Sequence, residues 1–132
     1  MENEEILKRK VGNEQEPRST VEPKKVKITS VVIKEKDKDG KKMKSKLAQF
    51  MVKHPDKDDL IVISKVKFLD GEKVVTKGFW IQTDNDGNFY KGSAIDVILN
   101  KLGCETLADT YGQEIDTIEE SKDSPYLCLK AY

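Results

Sequence analysis

The chain of 132 residues is poor in the residue types that do most chemistry: one histidine, two cysteines and two arginines. His54 stands directly before Pro55, and no CxxC or HxxxH spacing occurs, so no zinc-type cluster is expected. Cys104 and Cys128 are too few for a disulfide framework; both sit among apolar residues and read as buried free thiols. GxSxG, P-loop and GxGxxG patterns are missing as well. The expectation is a protein that is not an enzyme and carries no cofactor and no metal. Apolar runs fall well short of a membrane span, and the opening MENEEILKRK has no apolar secretory core. A soluble, cytoplasmic chain with no membrane partner is expected.

What the chain has in abundance is charge, 36% of all residues. The 24 basic and 24 acidic side chains cancel overall but not locally. Residues 24–57 carry 12 basic and 4 acidic groups, a net of +8, whereas residues 92–132 carry 3 and 8, a net of −5. A basic first third suits a polyanion-binding face. Lysines that solvate and protect the edge of a ribbon would produce the same pattern.

Residues 1–23 are mixed in sign, hold Pro17 and Pro23, and offer only Ile6, Leu7, Val11 and Val21 as large apolar groups. They are expected to form a disordered tail, with one β-rich domain over 24–132. After Pro23 the spacing of apolar residues becomes that of strands. VKITSVVIKEK (26–36), SKLAQFMVKH (45–54), LIVISKVKFL (60–69) and KVVTKGFWIQT (73–83) are rich in β-branched and aromatic residues. Asp39-Gly40, the Pro55–Asp59 run and Asp70-Gly71 provide turns between them. In the second strand Ala48, Phe50 and Val52 share one face, and Leu47, Gln49 and Met51 the other. Gly78 within the fourth suggests a bulge or a close approach.

TDNDGNFYKGSAIDVILNKLG (83–103) raises the question of a calcium loop. With Gly87 at the sixth position of an EF-hand, the first position falls on Gln82 and the twelfth on Ser93, and the residues before it alternate like a strand. The run is therefore read as a turn. Ser93 is placed to cap a helix over about 93–102 whose apolar stripe is Ile95, Ile98, Leu99 and Leu102, with Gly103 as its stop. A short helical turn within ETLADTYG and strands over 113–120 and 125–132 complete the order. Four strands, one helix and two strands predict a mainly β fold, a curled antiparallel sheet or an OB-like barrel with one covering helix. An OB-like barrel has five strands with the helix after the third, so one strand too many precedes the helix here.

Surface recognition is the remaining source of function. Lys34, Lys36, Lys41, Lys42, Lys44 and Lys46 flank the first hairpin turn, and Phe50, Phe68, Phe79, Trp80, Phe89 and Tyr90 follow. Rings beside lysines on a sheet suit single-stranded nucleic acid, in which bases stack while ammonium groups track phosphates. Phe79 and Trp80 are adjacent in a strand, so one must face the core. Trp80 is the better candidate for the exposed ring, with the six lysines as nucleic-acid-binding residues. The arginines, Arg9 and Arg18, both lie before residue 24, which argues against base-specific readout.

The run FWIQTDNDGNFYKGSAIDVILNKLGCETLADTYGQEIDTI, with its Gly92-Ser93, Leu102-Gly103 and Gly112 caps, resembles short phage and archaeal proteins of single-stranded-DNA metabolism that have OB-like barrels. The resemblance implies a binding module and transfers no functional residue. Two readings stand at this point: a module for single-stranded nucleic acid with little sequence preference, and a protein-interaction or structural subunit that self-associates.

Overall fold

The computed structural model describes residues 21–36, 39–122 and 124–132, and of Lys36, Met43 and Lys44 the backbone alone. The expected tail over 1–20 lies outside the described residues. Residues 21–23, expected to belong to that tail, are part of the folded body. Val21 packs on the core, and the Glu22 carbonyl accepts a 2.7 Å hydrogen bond from Nε2 of His54. Nδ1 of the same ring accepts the backbone N–H of Asp56, so its two nitrogens tie the entering chain to the turn after the second strand. Lys24 adds an ion pair with Asp56 at 2.7 Å. That pair raises the Lys24 pKa and lowers that of Asp56, in each case through their mutual hydrogen bond first.

Among the described residues eight strands form: β1 (Val26–Lys36), β2 (Lys42–Lys53), β3 (Ile61–Ile63), β4 (Lys65–Asp70), β5 (Lys73–Gly78), β6 (Glu114–Ile115), β7 (Thr117–Glu119) and β8 (Leu127–Ala131). Helix α1 (Ala94–Leu102) lies between β5 and β6. Two four-stranded sheets run in the orders β3-β2-β1-β6 and β5-β4-β8-β7. All pairings are antiparallel except β4 with β8. β3 and β4 are one expected strand interrupted at Ser64, and β6 and β7 are another interrupted at Asp116. Each interruption lets a single run of chain serve both sheets. Counting each run once, the pairings close a circuit of five strands with α1 between the third and fourth, an OB-like barrel.

The surplus strand is β5. It pairs along β4, and then Phe79 carries the chain across to β2. Phe79 N–H donates to the Ser64 carbonyl, Ala48 N–H to the Phe79 carbonyl and Ile81 N–H to the Lys46 carbonyl, all at 2.8–2.9 Å. Where β3 leaves the edge of β2 at Ser64, residues 79–81 take its place, and those backbone groups stay paired.

The core follows the alternation of the strands. Val26, Ile28, Phe50, Val52, Ile63, Val66, Phe79 and Leu129 are buried, with Ile95 and Ile98 of α1 among them. The helix begins where Ser93 Oγ accepts the Asp96 N–H, and ends at Gly103 with φ 67°. Asp84 Oδ1 accepts the N–H groups of Asp86 and Asn88, and Gly87 has φ 81°, so residues 84–88 form the expected Asx-type turn. Cys128 is buried as expected, but Cys104 is only half-buried; it ends beside Leu102 and Asp109 carbonyls rather than inside the core.

Candidate nucleic-acid interface

In an antiparallel ladder, residues directly opposite each other project to the same side. Lys34 stands opposite Leu47, and Leu47 is bridged to Trp80. Ala48 and Phe79, one residue on from Leu47 and one before Trp80, are fully buried, so the row Lys34–Leu47–Trp80 lies on the outer face. Trp80 is 45% exposed and Leu47 half-buried.

The indole of Trp80 lies over Gly78. A Cβ at that position would stand 2.9 Å from Trp80 Nε1, so the missing side chain of Gly78 makes room for the ring. Gly78 pairs with Lys65 on β4, which takes the outer face one strand further. Lys65 in turn forms an ion pair with Glu120 at the end of β7. Its pKa is raised, chiefly by that hydrogen bond. Glu120 N–H donates to the Tyr126 carbonyl at 3.0 Å, which closes the turn between β7 and β8 and fixes Tyr126 beside the pair. Tyr126 is 55% exposed.

The outer face thus carries a continuous track from the first hairpin through Trp80 and Lys65 to Tyr126. Flanking it are Val32 and Val62, both exposed, and half-buried Gln49 and Met51. Gln49 Nε2 reaches Ser64 Oγ at 3.3 Å. In strand order this is the face of the second and third strands of an OB-like barrel, flanked by the first hairpin loop and the loop between the last two strands.

The sequence-derived residues do not all fall on this face. Lys34 and Trp80 share one row on the outer face. Lys41 and Lys42 are exposed at the end of the hairpin. Lys46 is exposed but forms an ion pair with Glu35 at 3.0 Å, and its place in the ladder is on the Ala48 side rather than the Trp80 side. The side chains of Lys36 and Lys44 lie outside the described residues. Phe50, Phe68 and Phe79 are buried, and Phe89 is half-buried. Tyr90 is exposed at the start of the helix turn.

Sequence reasoning did not find Lys65, Glu120 or Tyr126. Lys65 looked like one polar position in a buried strand, and Tyr126 like the first residue of a terminal one. A usable signal was present: Ser124-Pro125 directly before Tyr126 marks a turn, and an aromatic residue at a turn edge is seldom fully buried.

Comparison with protein-family models, curated proteins and solved structures finds no match for this chain. Among the described residues no helix is long and apolar enough to cross a membrane.

Proposed function

We propose that this protein is a small module that binds single-stranded nucleic acid with little sequence preference, through the outer face of β2, β3 and residues 79–81. The observation that carries the reading is the row Lys34–Leu47–Trp80: an exposed indole and a lysine on one outer sheet face, with Leu47 between them. Such a ring accepts any base, because every base has a π-face, and lysine meets phosphate as a point charge. Lys41 and Lys42 extend the positive potential to the hairpin end. No arginine follows Arg18, which agrees with weak readout of base edges by this face.

The same face supports a second reading. Val32, Leu60 and Val62 are 44–48% exposed on or beside it, and apolar groups of this kind are covered when a subunit self-associates. The deciding experiment replaces Lys34 and Lys42 together by glutamine and measures binding of several unrelated single strands. Equal weakening for all of them supports the single-strand reading, provided that the dependence of log affinity on log salt also becomes shallower, by about 0.7 for each phosphate no longer neutralised. Unchanged binding, or a parent protein that binds no strand and grows in size with concentration, favours the self-associating subunit.

A further inference from the structure

A cavity of about 390 Å³ opens beside the track, lined on its apolar part by Ile61, Val62 and Leu127 and on its polar part by Ser64, Lys65 and Glu120, with Tyr126 as the remaining wall. Its size lies at the lower end of small-ligand sites, too small for a folded partner element but ample for one planar heterocycle. The chemistry of the lining is specific. A phenol ring offers a stacking surface. Lys65 Nζ has three protons, of which its hydrogen bond to Glu120 uses one; the Glu120 carboxylate has acceptor sites beyond that bond. An ammonium donor therefore stands directly beside a carboxylate acceptor at the polar side of an apolar slot.

We propose that this cavity seats one unstacked nucleobase of the bound strand, with Tyr126 against its face and the Lys65–Glu120 pair against its Watson–Crick edge. The proposal rests on the single-strand reading above and deepens it. Every base places an acceptor next to a donor on that edge, so all four can enter. Guanine matches best: its O6 accepts from Lys65, and its N1–H and N2–H donate to the two carboxylate oxygens of Glu120. The rest of the track, built on Trp80 and lysines, meets ring faces and phosphates. The module is thus sequence-tolerant along its length and selective at a single position.

Continuity favours a base over a free metabolite. Lys65 belongs to both the cavity and the track, since it pairs with Gly78, over which the Trp80 indole lies. A strand with one base on Trp80 is led toward Tyr126 by way of Lys65, which lines the cavity with it. The pairing of Glu120 N–H with the Tyr126 carbonyl and that of Tyr126 N–H with Ser124 Oγ hold the Tyr126 backbone in place before any ligand arrives.

The test uses the full chain and two fluorescent probes, an oligothymidylate and the same strand carrying one central guanine. The parent is expected to bind the guanine strand several-fold more tightly. Glu120→Gln should bring the ratio of the two affinities close to one, because glutamine offers one acceptor oxygen where guanine N1–H and N2–H need two. Tyr126→Ala should weaken both by about tenfold or more; its ring is more than half exposed, so the fold should survive, which circular dichroism checks. Trp80→Ala is the control for the underlying reading. If Trp80→Ala weakens binding but Tyr126→Ala and Glu120→Gln leave both affinities at parental values, the base pocket is wrong and the module stands. If the parent binds neither probe at low salt, both are wrong.

Discussion

Phe79 and Trp80 are adjacent in the chain and point to opposite sides of the barrel wall. The Phe79 ring is fully buried, its centroid 4.7 Å from that of Phe50, while the Trp80 ring is 45% exposed over Gly78. One dipeptide therefore joins the core to the proposed interface. Phe79→Ala should cost about 3–5 kcal/mol of stability, the usual range for removing a large ring from a core. Trp80→Ala should leave stability within about 1 kcal/mol of the parent and remove about 1–3 kcal/mol of single-strand binding. Denaturant titration and binding assays on the two variants check this, and a reversal of the two effects would place Trp80 in the core role.

Gly78 gives the indole its seat. In Gly78→Ala the new methyl group would meet Trp80 Nε1, so the ring must move. A modest loss of stability, a shifted Trp80 emission maximum and weaker binding of single strands are expected together. An emission spectrum identical to the parent's would mean that the ring does not lie there.

His54 ties the entering chain to the β2–β3 turn through both ring nitrogens. His54→Ala leaves a cavity and strips the Glu22 carbonyl and the Asp56 N–H of their partner. The expected cost is about 2–4 kcal/mol in urea denaturation. Stability equal to the parent's would show that residues 21–25 do not contribute to the folded body.

Burial pushes the Cys128 thiol up to about 11, with Glu120 adding to the shift. A thiol raised in this way stays protonated in the folded chain while the unfolded one ionises. Its stabilising contribution is thus intact below about pH 9, the ordinary value of the thiol, and declines as pH rises toward 11. Between those limits the parent should lose stability more steeply than Cys128→Ala, by on the order of 2 kcal/mol at the upper end. Parallel curves would contradict it. At neutral pH a thiol reagent should modify Cys104 well before Cys128, because Cys104 is partly exposed.

Much of the architecture could be read from the chain, because alternation and caps act locally. The burial of Ala48, Phe50 and Val52, the Ser93 and Gly103 caps and the Asp84 turn all follow from residues within a few positions of one another. The breaks at Ser64 and Asp116 were not legible. Ser64 is not a strand breaker by type, and Asp116, though of a type depleted in strands, stands inside an alternating run; each marks the point where one run passes from a first sheet to a second, a property of the closed circuit. The proposed interface was half legible for the same reason. Lys34 and Trp80 were recognisable as residue types, but their neighbourhood depends on residues 79–81 crossing to β2. Tyr126 and Lys65 meet through the pairing of β4 with β8, two strands about sixty residues apart.

The most direct test of the proposed interface is the emission of Trp80, the chain's single tryptophan, during titration with a single-stranded oligonucleotide at low and then high salt. Saturable quenching at low salt that weakens as salt is raised is the predicted result, since stacking reports on the ring and salt on the phosphates. Unchanged emission at low salt with the oligonucleotide in large excess would contradict the account.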